Sequence, residues 1–366
     1  MTKVLSLFRD ADQLPIGVES GFAMTVLGPV PVEDLGVTLM HEHIMLDASS
    51  KVRIPCGCAA RQFAERPLAM DMLGALRHNP VSNRDNCQLL DVDTAVEELS
   101  QFKALGGCSV VDATPVGSGR DLRSLQDIAR RTGLNIIGGC GYYLEPSHPD
   151  FVRDSSVEDL AERIMYDLGA SETRPPVLSG LIGEIGISPN FTKQEEKCLR
   201  AAARASFRTA VPLSIHLPGW CRYGDWVLDV VESEGADLRS TILCHMNPSL
   251  SDRDYQRRLA ERGCFLEYDM IGIDFYFGEK KEQAPNDEQN AGAIVDLIAD
   301  GFIESVLLSQ DVFLKMMLTR FGGHGYGHIL RNFVPRLMDK GLTGQQIERL
   351  LVKNPRCVFQ PRNRAS

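Results

Sequence analysis

The chain has 366 residues, 43% of them hydrophobic, and a formal net charge of −10. That apolar content supports a large core, and the acidic balance argues against a nucleic-acid or anionic-membrane binder without fixing the charge inside a pocket. No apolar run approaches the ~20 residues that span a bilayer, and Arg9 and Asp10 interrupt the N-terminus before a signal-peptide core forms, so we expect a cytoplasmic protein that meets a small-molecule substrate.

Residues 1–34 read as an N-terminal extension of one domain covering 1–366, with Gly28-Pro29-Val30-Pro31 breaking regular structure before a first strand at 37–40. The long segment 44–92 shows no periodicity. A stretch of that length is unusual in a compact fold and reads either as a lid or as an excursion packed beside the main body. Within it, Cys56-Gly57-Cys58 lacks a second cysteine pair that would complete a metal site, so a structural or incidental role is expected.

From residue 93 a regular alternation begins. Helical spacing over 93–105, 121–132, 157–168, 193–209, 226–234, 252–262 and 290–300 separates apolar runs at 108–112, 135–140, 178–184, 211–216, 240–245, 263–268 and 303–311. Helices over 328–340 and 343–351 follow. Cys108, Cys140, Cys244 and Cys264 fall in these apolar runs as small hydrophobes. Short continuous apolar runs suit strands buried on both faces of a parallel sheet. With the first strand they make eight β/α units, which predicts an α/β protein folded as a (β/α)8 TIM barrel, with the extension before strand one and the insertion after it. An open doubly wound sheet is the runner-up, but the glycine-rich phosphate loop expected of it is absent.

The polar residues that end these strands carry the chemistry. His41 and His43 follow strand one, Glu184 ends strand four, His216 strand five, His245 strand six and Asp311 strand eight. All six lie at the carboxyl ends, the face on which barrel enzymes build their sites. Strand alternation turns His41 and His43 to one side and Glu42 to the other. Four imidazoles and two carboxylates exceed the needs of one tetrahedral ion and suit two divalent metals sharing a carboxylate, an arrangement that activates a bridging water.

Thr38-Leu39-Met40-His41-Glu42-His43, Gly183-Glu184-Ile185-Gly186, Ile215-His216, Cys244-His245 and Ser309-Gln310-Asp311 together resemble the phosphotriesterase family of the amidohydrolase superfamily. The likeness is closest to the branch that holds lactonases and proteins labelled resiniferatoxin-binding, and Gly322-Gly323-His324-Gly325-Tyr326-Gly327 is similar to a loop of that branch. The resemblance implies that His41, His43 and Asp311 hold a more buried metal and His216 and His245 a more exposed one. Glu184 then bridges both ions, where many members carry a carboxylated lysine. It also implies a metal-bridging hydroxide attacking a carbonyl or phosphoryl centre, with Asp311 as the catalytic proton acceptor, and it suggests a homodimer. Zinc is the first expectation, although manganese, cobalt and iron accept the same ligands.

Two departures from the family pattern bear on the substrate. Met270 stands where organophosphate-hydrolysing members carry a relay histidine, and His245 is followed by Met246-Asn247-Pro248 rather than a carboxylate partner. These favour a lactone or ester over a phosphotriester. The alternatives are a non-catalytic ligand-binding barrel and a phosphotriesterase or amide hydrolase proper. Tyr143, after strand three, is expected to form an aromatic wall against substrate. Asp269, beyond strand seven, and His324, after strand eight, are further candidate substrate contacts, with a loop cap as the other reading of Asp269.

Overall fold

A computed structural model of the protein describes residues 21–54, 57–278 and 280–360. Eight strands run parallel in strict chain order: β1 (Thr38–Glu42), β2 (Ser109–Asp112), β3 (Asn135–Cys140), β4 (Leu181–Gly186), β5 (Leu213–His216), β6 (Thr241–Leu243), β7 (Phe265–Tyr268) and β8 (Val306–Leu308). The gap between β8 and β1 is closed by the Asp311 N–H, which donates to the His41 carbonyl at 3.1 Å, and by the His41 N–H, which donates to Ser309 Oγ at 2.9 Å. The result is the expected barrel.

Helices between the strands form the outer layer, and their starts are set by side-chain caps. Ser156, Thr192 and Asn286 each form a capping box, while Asp91, Asp121 and Asp252 accept first-turn N–H groups. Helix Lys193–Thr209 buries Ala201, Ala202, Ala203 and Ala205, small side chains that allow close approach to the strands. After β8 the chain makes a five-residue π turn, Ile329–Phe333, before helix Val334–Asp339. Pro335 has no N–H to give the regular ladder, which accounts for the shift in bonding there. No described helix is long and apolar enough to cross a membrane.

One expectation needs correction, and one pair of readings is decided. Residues 28–31 do not break regular structure: Gly28–Pro31 pairs antiparallel with Phe22–Thr25. A two-stranded hairpin consists of edges, so its prolines forfeit little. Ala23, Val32 and Leu35 from this part of the chain pack with Val358 and Phe359 under Met40, Val111, Ile137, Leu181, Ile242 and Leu307. They plug the barrel at the end opposite the metal-type residues. Of the two readings of 44–92, the described residues take the packed excursion. Leu46–Asp47 pairs antiparallel with Gln88–Leu89, and helix Cys58–Glu65 lies between them in sequence. Asn83 Nδ2 donates to the Phe63 and Arg66 carbonyls at 2.8 and 2.9 Å, and Asn86 Oδ1 accepts the Met316 N–H at 2.9 Å, tying the excursion to the loop after β8. Cys58 is an exposed free thiol; Cys56 lies outside the described residues.

Candidate metal centre

The six expected ligands converge at the carboxyl mouth of the barrel, and the backbone departs from regularity where it delivers them. The β1–β2 register shifts between Leu39 and Glu42, so that Met40 packs in the barrel interior while both His41 and His43 reach the site. The β4–β5 register shifts between Ile182 and Ile185, around Glu184. Such irregularities re-aim side chains at barrel rims. Gly183 has φ +142°, and a Cβ there would sit 2.5 Å from the Ser214 carbonyl oxygen, so only glycine lets β4 approach β5 closely enough to present Glu184. His245 and Asp311 adopt left-handed backbone, φ +59° and +48°. Non-glycine residues pay about 1–3 kcal/mol for that conformation, and it concentrates at functional sites.

Glu184 sits at the centre and its two oxygens divide the set. Oε1 lies 3.4 Å from His43 Nε2, whereas Oε2 lies 3.1 Å from His216 Nδ1 and 3.6 Å from both His41 Nε2 and His245 Nε2. Asp311 Oδ1 is 3.3 Å from His43 Nε2 and 3.9 Å from His41 Nε2. His41 is fully buried, while the His216 side chain keeps 17% of its surface, which matches a deep and a shallow position. His41 Nε2 and Asp311 Oδ1 are buried with no hydrogen-bond partner. Orphaned buried polar atoms are costly. Two lone-pair donors aimed into one space, ringed by two carboxylates, fit divalent cations. His41, His43 and Asp311 form one ligand group, and His41, Glu184 and His245 another.

The far nitrogen of three imidazoles is held from behind, which fixes the ligating face. His43 Nδ1 lies 2.9 Å from Thr114 Oγ1, His41 Nδ1 3.2 Å from Glu267 Oε2, and His245 Nδ1 3.0 Å from Asp269 Oδ1. Asp269 also accepts the His245 N–H at 2.9 Å and is fully buried. Asp269 is thus a support for a ligand, not a substrate contact, because its carboxylate is spent on His245 behind the site. Glu42 faces away from the ligands, as alternation predicts. Its carboxylate accepts from Ser309 Oγ at 2.8 Å and from the N–H groups of Gln310 and Val312 at 2.9 Å each, gripping the chain on both sides of Asp311. Asp112 accepts the Ile44 and Thr114 N–H groups at 2.7 and 3.0 Å, and Tyr326 Oη donates to the His43 carbonyl at 2.8 Å. Thr114, Glu267 and Asp112 were not singled out from the sequence. For Glu267 and Asp112 a charged residue within an otherwise apolar strand is the available signal; Thr114 carries none.

Electrostatics in the metal-free centre follow from this crowding. Burial works against the charge on Glu184, but the surrounding imidazoles, His41 foremost, hold its carboxyl well below the usual range. Burial likewise opposes protonation of His43 and His245, yet neighbouring carboxylates outweigh it and raise them to about 9 and about 10. His216, buried and facing His245, falls to about 3. Protons here take the place that metal charge would fill.

The centre opens into a cavity of about 280 Å3 lined by Tyr143, Leu217, Trp220, Met270, Phe277 and Phe313, and by Lys51 and Arg53 from the excursion. Tyr143 lines this cavity: its Oη is 3.2 Å from His216 Nδ1 and accepts from Lys51 Nζ at 3.0 Å. His324 does not face this cavity. Its ring stacks on His328 at 4.1 Å in a separate small pocket with Arg77 and Asp274, so the expected substrate contact is not available to it.

Comparison with known proteins agrees with this geometry. The model of the phosphotriesterase family matches residues 22–359. The N-acetyltaurine hydrolase of Rattus norvegicus is 35% identical over 341 residues, 92% of this chain and 97% of the relative. The crystal structure of a resiniferatoxin-binding protein from Rhodobacter sphaeroides superposes with a TM-score of 0.91 at 47% identity, covering 94% of this chain and 97% of that one. A lactonase from Listeria monocytogenes gives a TM-score of 0.75 at 25% identity, covering 93% and 100%. With its barrel, its ligand order and this match over nearly all the described residues, the chain belongs to the phosphotriesterase family of metal-dependent hydrolases.

Proposed function

We propose that the protein hydrolyses carbonyl acyl bonds, with an N-acyl amide as the first substrate class and a lactone or ester as the second. The observation that carries this reading is a complete six-residue ligand set opening onto a cavity where Met270, with no proton to relay, stands beside the metal-type residues. That side chain weighs against phosphotriester cleavage. N-acetyltaurine hydrolases that share 34% and 35% of residues over 92% of the chain support the amide, and the Listeria lactonase supports the second class.

Two divalent ions held by His41, His43, Glu184, His216, His245 and Asp311, zinc first, would supply an activated water and a polarising charge at the carbonyl oxygen. Asp311 Oδ1, buried and unpartnered, suits the acceptor that takes the water's proton and returns it to the leaving nitrogen or oxygen as the acyl bond breaks. The two oxygens of Glu184, split between His43 and the other three imidazoles, suit a bridge. The Tyr143 hydroxyl, beside His216, can donate to an oxygen of the substrate once Lys51 occupies its lone pair.

The test is a panel containing an N-acetyl amide, a γ-lactone and a phosphotriester, offered to metal-loaded protein. We expect carbonyl turnover to exceed phosphotriester turnover by at least about 100-fold, and His216→Ala to abolish it. A preference for the phosphotriester, or activity that survives the substitution, overturns the proposal; silence on the whole panel favours a binding protein.

A further inference from the structure

Resting on the two-metal reading, we propose that Glu267, inside the barrel, is a positioning residue for both ions. By taking the ring hydrogen of His41 it leaves Asp269 free to hold His245. Strand β7 alternates its side chains. Phe265 packs with Met40, Val111, Ile242 and Leu307 in the apolar interior, and the strand period puts Glu267 and then Asp269 on that same face, each a step nearer the mouth. Barrel interiors are filled by layers of branched apolar side chains. Glu267 interrupts that filling with a fully buried carboxylate. Its Oε1 has no hydrogen-bond partner, an arrangement that weighs against stability rather than for it. The hydrogen bond it does make is through Oε2, 3.2 Å from His41 Nδ1.

His41 Nδ1 stands between two carboxylates. With Nε2 turned to the metal, a neutral ring has one hydrogen, on Nδ1. Besides Glu267, Asp269 Oδ2 lies 3.5 Å from the same nitrogen. Asp269 is already engaged: its Oδ1 lies 3.0 Å from His245 Nδ1, and its Oδ2 accepts the His245 N–H at 2.9 Å. The fourth member of this buried group, Cys244, has its Sγ 3.0 Å from Ser214 Oγ. Remove the Glu267 carboxylate, and the carboxylate left within reach of the His41 hydrogen is the one that aims His245. Asp269 is then divided between two imidazoles, and the His245 ring loses its fixed orientation. The effect of Glu267 thus extends past the ligand it touches. Among the described residues its side chain makes no hydrogen bond to His245, so Asp269 is the link.

The test is stepwise binding of Co2+ to metal-free protein in competition with a chromogenic chelator, which yields two affinities for each variant. In Glu267→Leu both affinities should weaken, by about 10- to 100-fold, the range for a partner lost from behind a ligating histidine. Glu267→Gln keeps an uncharged oxygen for the His41 hydrogen and should weaken both by less, about 3- to 10-fold; it carries the same comparison if the leucine variant does not fold. Each substitution is then combined with Asp269→Asn. Because Glu267 reaches His245 through Asp269, the step that Asp269→Asn weakens most should be no weaker in the double variant than in Asp269→Asn alone. Loss confined to one step, affinities that neither substitution changes, or losses that add in the double variant overturn the proposal while leaving the two-metal centre standing. Wild type that takes up a single ion overturns the two-metal reading, and the proposal with it.

Discussion

Glu42→Gln tests how the fold aims Asp311. The carboxylate is fully buried and takes four hydrogen bonds, three on Oε1 (Ser309 Oγ, the Gln310 N–H and Gln310 Nε2) and one on Oε2 from the Val312 N–H. Glutamine can keep its oxygen where Oε1 sits, but its amide nitrogen then meets the Val312 N–H donor to donor. One buried donor left unmade costs about 1–3 kcal/mol. Burial pushes the Glu42 carboxyl up to about 7 from 4.5 even with its hydrogen bonds made, so near neutrality the group is already partly uncharged and a neutral amide forfeits little charge assistance in the bonds it keeps. The net loss of stability is therefore modest, about 1–3 kcal/mol. The loss of function is larger, because Val312 and Gln310 flank Asp311, whose left-handed backbone relaxes when the grip loosens. We expect kcat to fall about 100-fold, the usual consequence of an ångström-scale misplacement, and metal affinity to fall with it. Urea denaturation of metal-free protein reads the first effect, and steady-state kinetics with metal titration read the second. Unchanged kcat and metal affinity in a measurably destabilised variant would refute the reasoning, since the carboxylate would then be structural only.

Asp269→Asn should weaken metal binding by about 10- to 100-fold while leaving the fold intact, because Asp269 fixes the His245 ring; competition against a chromogenic chelator measures it, and unchanged affinity contradicts the supporting role. In metal-free protein His43 and His245 are raised to about 9 and about 10. A raised folded value gives stability that is whole below about 6.5, the unfolded value, and is lost as pH climbs through the folded value. The Tm of the apoprotein should accordingly fall between pH 6.5 and about 10, and a flat profile over that window contradicts the protonated reading. Glu184 as the bridge needs no carbamate, so metal loading should be indifferent to added bicarbonate; a strong bicarbonate requirement rules the bridge out.

Much of the site is legible in the sequence because its residues announce themselves chemically. An imidazole or carboxylate ending an apolar strand has no packing reason to be there, and His41, His43, Glu184, His216, His245 and Asp311 meet at one rim once β/α alternation implies a barrel. What stays hidden depends on which neighbour a polar group meets. Asp269 reads equally as a substrate contact or a cap until the His245 ring is seen against it. His324 follows the last strand like a lining residue, yet its loop carries it beside His328, behind the cavity. The excursion is built on Asn83 and Asn86 side chains bonding carbonyls and a backbone amide, a scaffold with no period to detect. Lys51 and Arg53 therefore look like solvated charges in the chain and become part of the cavity only in the fold.

The most direct measurement is metal content set against turnover. Protein purified without chelator, analysed by elemental emission and assayed on the same sample, should carry about two transition-metal ions per chain. Its hydrolysis should vanish on chelation and return when the second equivalent is restored. Full turnover in protein stripped of metal, or activity that saturates at a single ion, would contradict the binuclear centre.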